Sequence, residues 1–524
     1  MTVNVTKSFR LSFILALLAT SLTLPRGAFA QIVAPALAQP DSNGIVVTRH
    51  QITIGGRVVH YTARAGFLPL ENQSGETMAK IFFVAYVLDN PGNKVRPVTF
   101  AWNGGPGSSS SLLHLGALGP KRVKSPKEYA KAPPPYQLVE NESTWLGETD
   151  LVVVDPVGTG YSYPATPELE KMFWNDRGDI DSISEFVRVY LTHYDLLNAP
   201  LFVAGESYGT LRAAGVAETL GRRGIHVDGV ILLSTVLGVT DNVDLEDLLI
   251  IPNYTAAAFA HNKLPADLEV SLRASTHQAA AWAESQYASA LLKGDELNSA
   301  ERQQVLVQMA RYTGLDTAFL SRSNLRVGMG AFAQQLLSKE HRFVGHYDTR
   351  ATASAASHQG QYDPTEDPSL FGDGTGDLIV PYLRSELGFK SDAVYQGPFG
   401  GAWPSPTTPR GDWMSVMWTH GKGFDVDGTT ALKNALTANR DLRVFVGSGY
   451  YDLSTPWLGT EYAISHMGLD PELRSHVTIN VYPAGHAIYI DPDARAQLCH
   501  DVAAFIQTTL DLHHGSWAVT GPTN

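Results

Sequence analysis

Ser207 lies in AGESYGT (Ala204 to Thr210), a Gly-x-Ser-x-Gly spacing in which Glu206 stands directly before the serine. A serine hydroxyl attacks a carbonyl only when a base takes its proton and an acid orients that base. Two later segments supply such groups in the order acid, then histidine. VFVGSGYYDLSTPW carries Asp452 and INVYPAGHAIY carries His486, each just past an apolar run that reads as a buried strand. Glycine and serine are common enough here for the spacing to arise by chance, so the setting matters more. Apolar LFVA enters the motif and an amphipathic pattern leaves it, the context of a tight strand-to-helix turn that lifts a serine clear of a sheet, with Gly205 and Gly209 leaving room for close packing. The developing oxyanion must meet backbone N–H groups. The amide of Tyr208 is one, and WNGGPGSSS (Trp102 to Ser110), following apolar VTFA, is placed to offer another. That loop lacks the Gly-Lys-Ser/Thr of a phosphate loop, so nucleotide binding is not expected.

These residues need a scaffold. Gly44 to Leu88 alternates β-branched and polar residues, as antiparallel strands do. VTFAW, DLVVVD, PLFVAGESYG and GVILLSTV are short and fully apolar, the pattern of strands covered on both faces. Helical spacing recurs from Ile180 to Asn198, from Leu211 to Leu220 and from about Ala494 to Leu510. Strand, helix, strand in succession predicts an α/β fold with a mainly parallel central sheet. Between Leu245 and Arg342 the sequence turns Ala-, Leu- and Gln-rich and helical, and Gln359 to Gly411 is Gly-, Pro- and Asp-rich and loop-like. The expected division is 1–30, an export signal; 31–244 and 423–524, two parts of one core; and 245–422, a cap inserted over the sheet.

With 524 residues, 44% of them hydrophobic and 17% charged, the chain can bury a large core. A net charge of −13 without a basic run speaks against binding nucleic acid or an anionic membrane. Lys7 and Arg10 precede an apolar run from Leu11 to Leu24 and the small-residue site Ala28-Phe29-Ala30, which reads as a secretory signal cleaved before Gln31. Ala36-Leu37-Ala38 offers a second cleavage site, and an uncleaved anchor is the alternative, although the run is short for a spanning helix. Cys499 is the single cysteine, so no intrachain disulfide can form, which suits a bacterial periplasmic or secreted protein.

Taken in order, NGGPGSSS, DPVGTGYSY, GESYGT, the strand end at Asp452 and the AGH loop at His486 resemble the serine carboxypeptidases of peptidase family S10, over Val98 to Leu233 and Arg443 to Ile506. The resemblance implies an α/β-hydrolase that releases single residues from peptide C-termini, often best in acid, and needs no metal or organic cofactor. It implies Ser207 as nucleophile, His486 as base and then acid, Asp452 as orienter, and Gly105 with Tyr208 as oxyanion donors. It also implies that Asn103, Gly104 and Glu206 receive the substrate's terminal carboxylate. Two carboxyl groups attract only if they share a proton, so Glu206 needs mild acid or a raised pKa. The alternative for Glu206 is a buried carboxyl held by backbone donors for structure alone.

The chain departs from the family pattern in four places. A second glutamate often stands where this sequence has Ala117, and cysteines are usual where it has Ser108 and Thr455. The tryptophan usually two before the asparagine is shifted, with Ala101 there and Trp102 beside Asn103. Missing the second carboxyl leaves an esterase or acyltransferase as the nearest rival; a non-catalytic binding protein is the rival of another class. The expected partners are peptides with a free C-terminus. Asp363 to Asp377 does not fit EF-hand spacing and reads as a solvated loop, His513-His514 as an exposed tail, and Trp403, Trp413 and Trp418 as core or pocket lining.

Overall fold

Fully apolar pentapeptides can be satisfied as strands only if both sheet faces are covered, and the arrangement of the chain follows from that. The computed structural model describes residues 39–40, 44–90, 96–124, 134–238, 242–357, 367–369, 374–397 and 424–517. The N-terminal signal, Trp403, Trp413, Trp418, most of the acidic 363–377 stretch and the side chains of His513 and His514 lie outside the described residues.

Three long strands, Val46–Ile54, Arg57–Glu71 and Thr77–Leu88, meander antiparallel as their alternation predicts. The strand Asp150–Val154 joins two regimes, running antiparallel to Thr77–Leu88 on one side and parallel to Val98–Trp102 on the other. From there Leu201–Glu206, Gly229–Leu233, Arg443–Gly449 and Val477–Tyr482 add in parallel; with the two-residue strands Gln39–Pro40 and Tyr163–Pro164 the sheet has 11 strands among the described residues. Phe100 and Val203 enter one buried apolar cluster while Ala101, Phe202 and Ala204 enter the cluster on the opposite face.

Helices Asp176–His193, Tyr208–Arg222 and Gly428–Ala438 supply Ile180, Leu211 and Leu432 to the first cluster. Helix Pro492–Trp517 supplies Leu498, Val502 and Ile506 to the second. The first of these helices begins before the Ile180 that its apolar spacing marks, because Asn175 caps it by accepting from the Gly178 N–H and its first turn carries Asp176 and Asp179. Polar first turns are invisible to hydrophobic periodicity.

Between Val243 and Gln335 seven α-helices follow one another, Val243–Leu249, Ile251–Ala260, Leu272–Trp282, Ala288–Lys293, Ser299–Thr313, Thr317–Arg322 and Met329–Gln335. Tyr254, Trp282, Met309 and Phe332 from these helices build a third apolar cluster that also takes in Tyr450, Tyr451, Leu453 and Trp457. The helical insertion therefore packs directly on the loop carrying Asp452. The stretch read as loop-like contains a helix, Thr375–Ser385, whose Ile379, Tyr382 and Leu383 are buried on one side while Pro381 and the flanking glycines mask the pattern in the sequence.

Candidate active site

The strand Leu201–Glu206 and the helix Tyr208–Arg222 meet at Ser207, whose φ of 57° and ψ of −132° lie where a non-glycine residue is strained. The turn can be this tight because a Cβ on Gly205 would come within 1.9 Å of the Gly209 carbonyl oxygen. The Ser207 amide donates to the Leu233 carbonyl at 2.9 Å, anchoring the turn on the next strand. From Leu201 to Ala217 every residue is buried except Ser207, so the strained turn raises the serine above its neighbours toward solvent.

The NGGPGSSS loop is pressed onto this turn. A Cβ on Gly104 would lie 2.6 Å from the Tyr208 amide nitrogen, so only glycine allows the loop to approach the N–H expected to serve an oxyanion. Gly105 follows with a φ of 103°. The DPVGTGYSY segment fastens the loop from behind, since Asp155 accepts from the Ser110 amide at 2.8 Å and the Ser110 hydroxyl donates to the Val154 carbonyl at 2.5 Å. Burial pushes Asp155 up to about 6, against the hydrogen bond from Ser110. On the far side Arg212 donates to the Asn103 carbonyl at 2.7 Å and pairs with buried Asp179 at 2.8 Å, which also accepts from the Tyr208 hydroxyl at 3.0 Å. Nothing in the local sequence marks Arg212 and Asp179 as a brace between the two loops.

Asp452 and His486 meet as expected. His486 Nδ1 stands 2.8 Å from Asp452 Oδ2, with both side chains buried. Asp452 also accepts from the Ser454 amide at 2.8 Å, the Thr455 amide at 3.1 Å and the Thr455 hydroxyl. Thr455, present where a cysteine is usual, thus gives the carboxylate another donor and lies 3.3 Å from His486 Nδ1. Burial alone would lower the imidazole's pKa, but the Asp452 charge and hydrogen bond, with the Glu206 charge behind them, hold His486 above its ordinary 6.5.

A strap that sequence reasoning missed joins the two loops. Between the paired strands Arg342–Val344 and Thr352–Ser354, the chain offers the His346 carbonyl to the Leu453 amide at 2.8 Å and the Tyr347 carbonyl to the His486 amide at 2.6 Å. Arg350 donates to the Pro483 carbonyl at 2.8 Å and to Asp491 at 3.1 Å. The strap sits inside the inserted region and has no periodicity, so no local signal could have found it.

Glu206 and Asn103 also meet. Asn103 Nδ2 donates to Glu206 Oε2 at 2.5 Å, and Tyr489, which the sequence reading did not single out, donates its hydroxyl to the same oxygen at 2.8 Å. Both donors are side chains, unlike the backbone donors a purely structural carboxyl would be expected to have. Burial, abetted by the Asp452 charge, pushes Glu206 up to about 7 against the pull of His486, Tyr489 and Asn103. The structure thus gathers Asn103, Gly104, Glu206, Ser207 and Tyr208 at one strand end, and ties Asp452 to His486 and Glu206 to Tyr489, three residues beyond His486.

Residues 55–222 match the model of the serine carboxypeptidase family, peptidase S10. The likeness is to serine carboxypeptidases. Serine carboxypeptidase-like 13 of Arabidopsis thaliana is 27% identical over 199 residues, 36% of this chain and 45% of that protein. A carboxypeptidase Y homolog of Arthroderma benhamiae is 28% identical over 169 residues, 31% of each chain. The aligned part therefore spans less than half the length of these curated relatives. They are plant and fungal, and lend no support to the bacterial setting expected from the cysteine count. A solved prohormone-processing carboxypeptidase from Saccharomyces cerevisiae superposes with a TM-score of 0.50 at 16% identity, covering 85% of this chain and 91% of that one. The fold is that of an α/β-hydrolase with a mainly parallel central sheet and a helical insertion. The family match includes Asn103, Glu206 and Ser207 but stops short of Asp452 and His486, whose pairing is read from the geometry.

Proposed function

We propose that this protein is a serine carboxypeptidase. Ser207 attacks the last peptide carbonyl while His486 takes its proton, Asp452 holds the imidazole in orientation, and the N–H groups of Gly105 and Tyr208 receive the oxyanion. His486 then gives the proton to the departing amino acid, and water releases the acyl group from Ser207 by the same path in reverse. Asn103, Gly104 and Glu206 receive the terminal carboxylate, which selects peptides with a free C-terminus.

One observation carries this reading. The carboxyl next to the half-buried serine is buried, bonded to Asn103 and raised to about 7, so it can stay protonated and donate to a carboxylate at near-neutral pH. A general hydrolase has no use for a neutral acid at that spot. An esterase or acyltransferase remains the rival with an observation in its favour, because Ala117 is buried in an apolar cluster where the resemblance places a second carboxyl. Export through the N-terminal segment to a periplasmic or extracellular space, the cap role of 245–422 and the absence of a nucleic-acid or membrane partner after cleavage belong to the same proposal.

Hydrolysis of an N-blocked dipeptide is to be compared with that of its C-terminal amide and a simple ester across acidic to mildly alkaline pH, with Ser207→Ala as control. Preference for the free acid, fading as Glu206 ionises and absent in the variant, is the expected result. Ester cleavage without that preference would move the assignment to the rival, and no Ser207-dependent turnover of any substrate would leave a binding protein.

A further inference from the structure

A neutral carboxyl is useful as a donor only if its proton points the right way, and the surroundings of Glu206 constrain that direction. Asn103 Oδ1 accepts from the Leu113 amide at 2.9 Å, which turns Nδ2, a group with only protons to offer, toward Glu206. The Tyr489 hydroxyl arrives at the same oxygen, Oε2. Among the described residues no hydrogen bond reaches Oε1. An oxygen that accepts from two donors is the acceptor oxygen of the acid, so the proton of neutral Glu206 belongs on Oε1.

Tyr489 is itself held firmly in place. It lies in the single helical turn Ile488–Ile490, is 1% exposed, and accepts at its carbonyl from Arg495 at 3.1 Å. A Cβ on Gly116 would meet its Cε2 at 2.4 Å, so the ring is packed against the residue before Ala117. We propose that Tyr489 is a specificity-determining positioning residue: with Asn103 it fixes Oε2 as the acceptor, so that Oε1 carries the proton donated to the substrate's terminal carboxylate. This rests on the carboxypeptidase reading. A second carboxyl beside Glu206 would share its proton and raise its pKa; a phenol donates to the ionised form and lowers it. The charged groups facing Glu206 are His486 and Asp452, and its side-chain donors are Asn103 and Tyr489.

The test is Tyr489→Phe, which keeps the packed ring and removes only the hydroxyl. Infrared titration follows the protonated-carboxyl stretch of Glu206, identified as the band that Glu206→Gln abolishes. The midpoint should rise by about one pH unit in Tyr489→Phe, as befits loss of a donor to the charged form. An unmoved midpoint overturns the proposal. In kinetics, on the acid side where Glu206 is protonated in both proteins, the ratio of free-acid to amide kcat/KM should fall about tenfold, mainly through KM. Equal losses on both substrates would mean that Tyr489 serves packing alone and would also overturn it. In the Glu206→Gln background the Tyr489 change should leave that ratio unaltered, and a further fall there counts against the proposal. A wild-type protein without free-acid preference would sink the carboxypeptidase reading, while the infrared midpoint would still judge Tyr489 on its own.

Discussion

Glu206, beside Ser207, and Asp452, paired with His486, are both buried carboxyls, and they are treated in opposite ways. Asp452 accepts four hydrogen bonds, from the amides of Ser454 and Thr455, the Thr455 hydroxyl and His486 Nδ1. Among the described residues Glu206 accepts two, on one oxygen, from side chains alone. Four donors commit Asp452 to accepting, the role an orienter of histidine requires. Two donors leave Glu206 short of what a buried negative charge needs, so it is raised to about 7 and retains a proton to give. Donor count, set by where each residue sits in the backbone, distinguishes the two carboxyls although both are buried.

The contrast can be broken hardest at Asp452. Asp452→Asn keeps the shape but forces the wrong tautomer on His486, and kcat should fall about 10⁴-fold on free-acid and amide substrates alike. A loss confined to the free acid would show that the two carboxyls share one role. Glu206→Gln should instead change stability with a particular sign. Glu206 titrates near 7 folded and near its ordinary 4.5 unfolded, so the folded wild type binds more protons between those values and loses stability as pH rises through that window. Relative to wild type, Glu206→Gln should therefore gain up to about 3 kcal/mol between acidic and mildly alkaline pH, read by urea unfolding at the two ends. A parallel pH dependence in both proteins would contradict the raised pKa.

Smaller, but closer to function, is the pH profile of turnover. Under the proposed carboxypeptidase reading, free-acid hydrolysis needs Glu206 protonated and His486 neutral, whereas amide hydrolysis needs only the second condition. With His486 above 6.5 and Glu206 near 7, the free-acid profile should be a narrow bell and the amide profile a single rise to a plateau. One pH unit above the Glu206 midpoint, free-acid kcat/KM should lie about tenfold below its unlimited value. Glu206→Gln carries an N–H in place of the proton and should abolish that alkaline decline. Persistence of the decline in the variant would assign it to another group.

How much of this was legible in the sequence depends on the distance over which each feature is encoded. The parallel strands were, because full burial of VTFAW or LFVA writes itself into consecutive residues. So was the elbow, where Gly205, Ser207 and Gly209 act on one another within five positions. Asp452 and His486 were legible from chain order and strand ends, since the fold fixes both. Tyr489 was not: its partner is 283 residues away, and a tyrosine after a histidine has no local signature. The Tyr347 and Arg350 strap was hidden for the same reason, inside a region whose composition says only helix or loop. Helix Thr375–Ser385 was hidden by Pro381 and neighbouring glycines, which outweigh five apolar residues in a short window.

The finest probe of the contrast is Thr455. Its hydroxyl donates to Asp452 Oδ2, the oxygen that also faces His486 Nδ1, and its amide donates to Oδ1. Thr455→Val removes the hydroxyl at nearly constant volume and leaves the amide in place. If donor surplus is what commits Asp452 to accepting, one donor fewer should cost about 1 kcal/mol, a roughly fivefold loss of kcat shared equally by free acid and amide. The remaining donors still outnumber those on Glu206, so the free-acid preference and its alkaline limit should not move. A shift of that limit would mean that charge at Asp452 governs the proton on Glu206, and the two carboxyls would then have to be treated as one coupled pair.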